Sequence, residues 1–193
     1  MQEVFYEETA TLVNQEKAEK KYNFLKILSI VCYILFTLYA ITLFTFFSPD
    51  PNNVAFSMVL SLFPLVILLA SAIILGKIKN TIYIEYDYTF ISGSIRVAKV
   101  IKDFKRRTII KFEAYNIEKI GYYDSETYKK YDMLPGINKK ILTHNLSPAE
   151  NKNFYYIVVN VNGEKNLLIF ECTKLFISNV LKFSRKTVLE ARF

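Results

Sequence analysis

The sequence contains little of the residue chemistry on which most enzyme sites depend. Its 193 residues include one histidine, two cysteines and five glycines. An acid–base or metal site needs several titratable or ligating groups in one place, and the lone His144 falls in an irregular segment, which is typical of a surface residue. Phosphate-binding loops, nucleophile elbows and paired cysteine motifs are absent from the sequence. We therefore expect a noncatalytic protein that needs no metal and no cofactor.

The two cysteines are too few and too far apart to suggest a disulfide framework. Cys32 lies in an apolar stretch and Cys172 in the distant polar part, which is therefore compatible with a reducing cytoplasm. Cys172 precedes a predicted helix, whose N-terminus would activate the thiol. We favour the alternative, in which Cys172 is a small buried side chain.

Basic residues are concentrated after the apolar region. The chain carries a formal charge of +7, but from Lys77 onward 21 Lys and Arg stand against 12 Asp and Glu. This excess favours an anionic neighbour, of which a lipid surface is the first choice; we do not expect nucleic acid as the partner. Solubility and membrane topology are the alternative explanation for the same charges.

Two segments, residues 24–47 and 54–76, are long enough and apolar enough to cross a membrane. The first contains one charge, Lys26, and the second contains none. Both exceed the length of about 20 residues that a helix needs to span a bilayer. Pro64 is predicted to kink the second helix. A cleaved signal peptide is disfavoured because its apolar core would be shorter and followed by a cleavage motif.

The connection between these segments predicts the topology of the chain. Residues 48–53, SPDPNN, are short and contain two prolines, so the two helices must form a tight hairpin. The loop has Asp50 and no base, whereas lysines flank the other ends of both segments at positions 17, 20, 21, 26, 77 and 79. The positive-inside rule then predicts a multi-pass protein of the cell membrane with both termini in the cytoplasm.

The flanking parts form two further regions. Residues 1–23 are predicted to be a cytoplasmic N-terminal segment that forms a short helix or stays mobile at the interface. Residues 77–193 are rich in short runs of Tyr, Ile, Val, Thr and Phe, which predict a cytoplasmic sheet domain. Residues 80–193 are expected to fold without the helices. The predicted strands are 81–91, 94–102, 107–113, 117–123, 154–161 and 165–171.

The predicted strands are followed by an amphipathic helix. Phe176, Val180 and Phe183 recur at helical spacing, and Thr173 can cap the helix start. The polar residues 124–152 are predicted to form a long loop that contains one strand or a short helix. The fold class is therefore α+β, with a transmembrane helical hairpin followed by an antiparallel sheet and a C-terminal helix.

This order of elements resembles the pleckstrin homology (PH) superfold. The stretch IIKFEAYNIEKIGYYD at residues 109–124 is similar to the strand, short connection and strand of bacterial members of that class. Nearly the whole chain is similar in order and size to bacterial membrane proteins of unknown function that carry two transmembrane helices and a cytoplasmic PH-like domain. The resemblance implies a fold and supplies no catalytic residues.

The candidate binding site is a basic turn between two predicted strands. In KDFKRRTIIK the bases surround one aromatic residue, and the candidate residues are Lys102, Phe104, Lys105, Arg106, Arg107 and Lys111. Such a turn can lie against anionic headgroups, where each base contributes about 1 kcal/mol. The alternative is a solvated hairpin. A weaker patch comprises Lys129, Lys130, Lys139 and Lys140.

Three functions remain open from the sequence. The first is a membrane-anchored scaffold that recruits a protein or an anionic lipid to the inner membrane surface. The second is an accessory subunit of a larger membrane complex, such as a transporter, in which Ala70, Ser71, Ala72 and Gly76 pack on other helices. The third is an enzyme whose site follows no recognised motif. The oligomeric state is not predicted by any of these patterns.

Overall fold

The structure, a computed structural model, describes residues 4–102 and 105–184. The chain divides into two compact units, of which one is a helical unit, Asn14–Tyr83. The other is a sheet unit that combines the residues up to Val13 with those from Ile84 onward. The helical unit is therefore inserted within the sheet unit. The predicted division at residues 23 and 77 is corrected accordingly, because the N-terminal residues belong to the sheet unit.

The helical unit consists of two long antiparallel helices, α1 (Gln15–Phe46) and α2 (Val54–Ile82). Their most apolar windows have mean hydropathies of 2.4 and 2.8, and only 6% of each window is buried within the chain. A core helix of a water-soluble protein would bury such a surface. Both helices are candidate membrane spans, which indicates association with a membrane. They cover residues 24–46 and 54–76 of the predicted apolar segments and extend them with polar turns at residues 15–23 and 77–82.

Polar contacts within the helical unit join the two helices at two levels. Ser29 Oγ donates a hydrogen bond to the backbone oxygen of Ala72 at 2.9 Å, and Ala72 is completely buried. Tyr39 Oη donates to the backbone oxygen of Ser61 at 3.1 Å, in the turn before Pro64. This contact is a second polar link between the two helices, three residues before Pro64.

The first sheet contains four antiparallel strands in the order β1-β2-β3-β4. They are β1 (Phe5–Ala10), β2 (Ile84–Ile91), β3 (Ser94–Ile101) and β4 (Lys105–Glu113). β1 pairs with β2 along its whole length, from Phe5 opposite Ile91 to Ala10 opposite Tyr86. The prediction of a short helix or mobile segment is therefore wrong for residues 5–10, although residues 15–23 are helical.

The second sheet has the order β5-β7-β8-β6. A short 3₁₀ turn, Ala114–Asn116, leads into β5 (Ile117–Tyr122), and the long strands β7 (Asn153–Val161) and β8 (Glu164–Cys172) form a hairpin. Between β5 and β7 lie α3 (Glu126–Asp132) and β6 (Asn138–Ile141), and β6 pairs in parallel with β8. The predicted loop at 124–152 thus holds a helix and a strand as well as irregular backbone.

The core lies between the two sheets and the last helix, α4 (Lys174–Phe183). Tyr88, Phe90, Phe170 and Phe176 are fully buried there, and Thr173 caps α4 by accepting a hydrogen bond from the backbone N–H of Phe176. On the opposite face of the second sheet, Tyr128 of α3 packs on Tyr156, Val158, Leu167 and Ile169. Both faces of β7 and β8 are therefore covered.

The structure confirms the fold class and the six strands predicted from the sequence, with boundaries shifted by a few residues. It also confirms the capped C-terminal helix as far as Phe183. The predicted continuation of this helix beyond Ser184 lies outside the described residues.

Candidate functional site

The chain leaves and re-enters the sheet unit at one end of the first sheet. Ala10, the last residue of β1, is paired with Tyr86, close to the start of β2, and Ile84 is paired with Ile101 at the end of β3. Ile101 is in turn paired with Lys105, the first residue of β4. We call this end the exit end: it comprises residues 11–13, Ile84, the end of β3 and the start of β4. The candidate basic turn therefore lies beside the attachment points of both helices.

The exit end carries a like-charged cross-strand pair. Lys99 of β3 is directly opposite Arg107 of β4, and Arg107 and Lys105 are exposed. Side chains opposite each other on adjacent strands lie about 5 Å apart, a distance at which two positive charges repel. Among the described residues, no carboxylate forms an ion pair with Lys99, Lys105 or Arg107. This uncompensated charge is suited to an anion from outside the chain.

Arg106 has a different position from its neighbours. Its guanidinium lies 3.3 Å from Asp87 Oδ2, and the Asp87 side chain is only 7% exposed. The other Asp87 oxygen accepts a hydrogen bond from Thr9 Oγ1 at 2.8 Å. A buried carboxylate needs such partners, and removing one of them is costly. Arg106 therefore has a structural role in the first sheet, whatever else it contacts.

The remaining predicted site residues are not all brought together. Lys102 is in the turn with a positive φ of 36° and is partly buried. Lys111 is opposite Arg96 and lies six residues along β4 from Lys105, so it is about 20 Å away at the usual rise per residue. Lys111 does not belong to the cluster. Phe104 lies outside the described residues.

Sequence reasoning missed Lys99. Its partner Arg107 was part of the predicted site, but the pairing depends on the register of the β3–β4 hairpin. The sequence alone did not fix this register, because the exact ends of the two strands were not known. A shift by one residue would place Lys99 on the other face of the sheet.

The weaker basic patch is divided between two elements. Lys129 and Lys130 are exposed on α3, whereas Lys139 and Lys140 belong to β6. Lys139 Nζ lies 2.5 Å from Asp132 Oδ1, and this hydrogen bond raises the pKa of Lys139 above its ordinary value. The patch is therefore partly neutralised by the chain itself.

A second feature of the exit end is the loop of residues 142–152. Asn145 Nδ2 donates to the backbone oxygen of Thr11 at 2.7 Å, and its Oδ1 accepts from the Val13 N–H at 3.0 Å. Lys152 Nζ lies 3.3 Å from Glu8 Oε1 and donates to the Thr9 carbonyl. These contacts fix the loop against the residues that lead from β1 into α1.

The same loop is held from below by a buried carboxylate. Glu171 of β8 is completely buried, and its oxygens accept hydrogen bonds from Thr143 Oγ1, from Asn145 Nδ2 at 2.8 and 3.0 Å, and from the Ala149 N–H at 2.8 Å. A buried carboxylate is stable only with such donors. The loop therefore has a defined conformation although it contains little regular structure.

The structure supports the buried interpretation of Cys172. The residue is fully buried, and this burial raises the pKa of its thiol well above the ordinary value, with a further contribution from the nearby Glu8 carboxylate. A raised pKa keeps the thiol protonated and poorly nucleophilic. His144 is exposed in the 142–152 loop, as the sequence predicted.

The sheet unit has the architecture of a PH-like domain. Its two sheets pack face to face, the second is followed by a closing C-terminal helix, and β2, β3 and β4 of the first form a meander. The family model for the bacterial PH-like domain (DUF6106) matches residues 2–190, so the chain belongs to this family. The match covers the helical unit as well as the sheet unit, which confirms the resemblance stated from the sequence. No curated protein and no solved structure matched the chain.

Proposed function

We propose that the protein is a noncatalytic, multi-pass membrane module that presents its PH-like domain to the cytoplasmic leaflet and binds anionic lipid headgroups there. One observation carries this proposal. Lys99, Lys105 and Arg107, which form no ion pair with a carboxylate of the described residues, lie together at the exit end, where the chain leaves the sheet for α1 and returns to it from α2. Membership of the family implies neither the ligand nor the side of the membrane.

The pairing of β1 with β2 supports a common side for both ends of the hairpin. β1 precedes α1 and β2 follows α2, yet the two strands are hydrogen-bonded neighbours in one sheet. A chain that crosses the membrane through α1 must therefore return through α2. The lysines at both outer ends and Asp50 in the loop then favour the cytoplasm for the sheet unit.

The short polar turns of the helices support contact with headgroups. Residues 15–23 and 77–82 separate the apolar segments from the sheet unit. At 1.5 Å per residue they span at most about 14 Å and 9 Å, comparable with a Debye length of about 8 Å at physiological salt. Within that range each base near an anionic surface contributes about 1 kcal/mol.

The proposal is tested with a soluble version of the sheet unit. Residues 4–13 are joined through a short Gly-Ser linker to residues 84–184, and cosedimentation is measured with neutral and anionic vesicles. We expect binding to anionic vesicles only, and binding that weakens as salt rises. Lys105→Ser with Arg107→Ser should remove most of it. Arg106 is retained because its loss would remove the ion-pair partner of the buried Asp87 carboxylate.

The matched control is Lys129→Ser with Lys130→Ser, which removes the same charge from exposed positions on α3. This control should bind almost as the parent does. Equal loss in both double variants would mean that only net charge matters, and equal binding to neutral and anionic vesicles would contradict the proposal.

The accessory-subunit alternative relied on small residues of α2. Ala72 is fully buried against α1, and a Cβ on Gly76 would lie 3.6 Å from Ser29 Oγ, so these two positions pack within the helical unit. They are not available to another helix in this arrangement. A membrane protein retained in stoichiometric amount through purification in mild detergent would favour the alternative.

A further inference from the structure

We infer that the 142–152 loop forms a second, apolar contact with the membrane, in which Leu146 enters the interfacial layer beside the start of α1. This inference rests on the proposed function, because it takes the exit end to face the bilayer. It goes beyond that function by assigning a membrane-binding role to a segment that contains no cluster of bases.

The first argument is the exposure of Leu146 in a loop that is otherwise well anchored. The side chain is fully exposed, at 102% of its reference area, whereas Leu142 and Thr143 just before it are buried. Single exposed leucines are common on soluble proteins. Here, however, hydrogen bonds to Glu171 from the side chains of Thr143 and Asn145 and from the backbone N–H of Ala149 anchor the loop on both sides of the leucine, which stays exposed.

The 142–152 loop is bonded to the residues that lead from β1 into α1. Asn145, the residue before Leu146, bonds to both Thr11 and Val13, and α1 begins two residues after Val13. Val13 is itself 51% exposed. Leu146 and Val13 are thus two exposed apolar residues linked through Asn145, and Val13 is two residues from the start of α1. If α1 enters the membrane, the bilayer interface is the simplest cover for such residues.

The third argument is the arrangement across the sheet. The loop is attached beside the end of β1, which leads into α1, and Lys99, Lys105 and Arg107 lie on β3 and β4, with β2, which follows α2, between them. Three strand spacings of about 4.8 Å separate β1 from β4, so the two contacts would be about 14 Å apart. An apolar and a cationic contact on either side of the tether would hold the domain in one orientation on the leaflet.

The two contacts differ in physical character, which makes them separable. Lysine and arginine contacts with headgroups weaken with salt and require anionic lipid. Insertion of a leucine depends on the apolar area removed from water, and this area depends neither on salt nor on the charge of the lipid. The loop contact should therefore persist in neutral lipid at high salt.

The absence of tryptophan from the sequence provides a clean test. Leu146→Trp introduces a unique fluorophore into the full chain, which is reconstituted in nanodiscs of neutral lipid with either plain or brominated acyl chains. Bromine quenches only nearby indoles. We expect the tryptophan to emit at a shorter wavelength than a tryptophan that is fully exposed to water. Its intensity should fall in the brominated nanodiscs, and high salt should not restore it.

Two further variants frame the result. Met133→Trp reports on an exposed position at the end of α3, an element that contributes nothing to either proposed contact, and should show no quenching. Phe44→Trp lies on an exposed face of α1 within the apolar segment and should be strongly quenched. If the tryptophan at position 146 behaves like the one at position 133, the inference is overturned.

The failure of this inference and that of the proposed function are distinguishable. Quenching at position 146 with no effect of Lys105→Ser and Arg107→Ser on vesicle binding would uphold the loop contact and reject the basic site. The reverse pattern would uphold the basic site and reject the loop contact. A thermal melt of each tryptophan variant, unchanged from the parent, verifies that the reporter has not altered the fold.

Discussion

At the scale of single residues, the exit end depends on buried polar groups that the chain satisfies itself. Glu8 accepts from the Thr173 N–H at 3.0 Å and from Thr173 Oγ1 at 2.9 Å, while Glu171 binds the 142–152 loop. Both carboxylates are in the interior, where an unpaired charge would be very unfavourable. The carboxylates lie on β1 and β8, and their donors come from Thr173 at the start of α4 and from the 142–152 loop, so these residues connect segments that are distant in sequence.

Glu171→Gln should loosen the loop and destabilise the fold. The glutamine has one acceptor oxygen in place of two, and its NH₂ group would face the donors of Asn145 and Ala149. Leaving buried donors unpaired costs about 1–3 kcal/mol. Hydrogen exchange should increase at residues 143–149, and the melting temperature should fall. Glu150→Gln, at an exposed position in the same loop, is the control, and a similar effect in both variants would contradict this role of Glu171.

Gly121→Ala tests a close contact in the second sheet. A Cβ at this position would lie 2.6 Å from Tyr156 Cε1, and the Tyr156 ring is held in place by Tyr128 and Tyr131 of α3. The methyl group should therefore push the Tyr156 ring away from β5 and against α3, at a cost of about 1–3 kcal/mol for overpacking. Chemical denaturation measures this loss. A variant as stable as the parent would show that the ring can move freely.

At the scale of elements, β1 is the strand that completes the sheet unit. It pairs with β2 at six positions and places Glu8 and Ala10 in the buried interior. A fragment of residues 80–193 lacks this strand, exposes the edge of β2 and leaves Lys152 without its carboxylate partner. The sequence-based expectation that these residues fold by themselves is therefore replaced by a different prediction.

The joined sheet unit should melt cooperatively only when β1 is present. The linked form of residues 4–13 and 84–184 is compared with a form in which residues 4–13 are replaced by a Gly-Ser sequence of equal length. We expect a cooperative thermal transition in the first and a lower or uncooperative transition in the second, since an unpaired edge also promotes association. Equal transitions would show that β1 is dispensable.

The limits of the sequence prediction also have their origin at the level of elements. β7 and β8 were predictable because β-branched and aromatic residues run between clear turns such as Asn162 and Gly163. β1 was missed because Glu8, a buried residue, breaks the apolar alternation, and its partners Thr173 and Lys152 are far away in the sequence. A local pattern carries no information on such partners.

The sequence contains a signal that predicts an element such as α3. The runs YYIVV and LLIF are apolar at successive positions, a pattern typical of strands covered on both faces. Some element had to cover the second face, and Ser125, which accepts from the Tyr128 N–H at 3.2 Å, marks its start. The basic turn, by contrast, was visible directly, because a run of bases needs no tertiary contact to be recognised.

At the scale of the whole molecule, the insertion of the helical unit between two paired strands constrains the topology. Because β1 and β2 are neighbours in one sheet, the ends of α1 and α2 that join the sheet unit must lie on the same side of any membrane the helices cross. Loop residues 48–53 would then lie on the opposite side. Lysines on one side and Asp50 on the other favour an external loop and a cytoplasmic sheet unit.

Cysteine accessibility in intact cells tests this topology. Asn52→Cys places a thiol in the exposed loop, and Lys20→Cys places one on the exposed polar turn of α1. The parent chain is the background control, since Cys32 lies within α1 and Cys172 is fully buried. A membrane-impermeant maleimide should label the loop variant in intact cells, and the Lys20→Cys variant only after permeabilisation. Labelling of Lys20→Cys alone would reverse the orientation and separate the basic turn from the cytoplasmic leaflet. Protection of both until permeabilisation would mean that the helices do not cross the membrane, in which case the basic turn and Leu146 would need a different anionic and apolar partner.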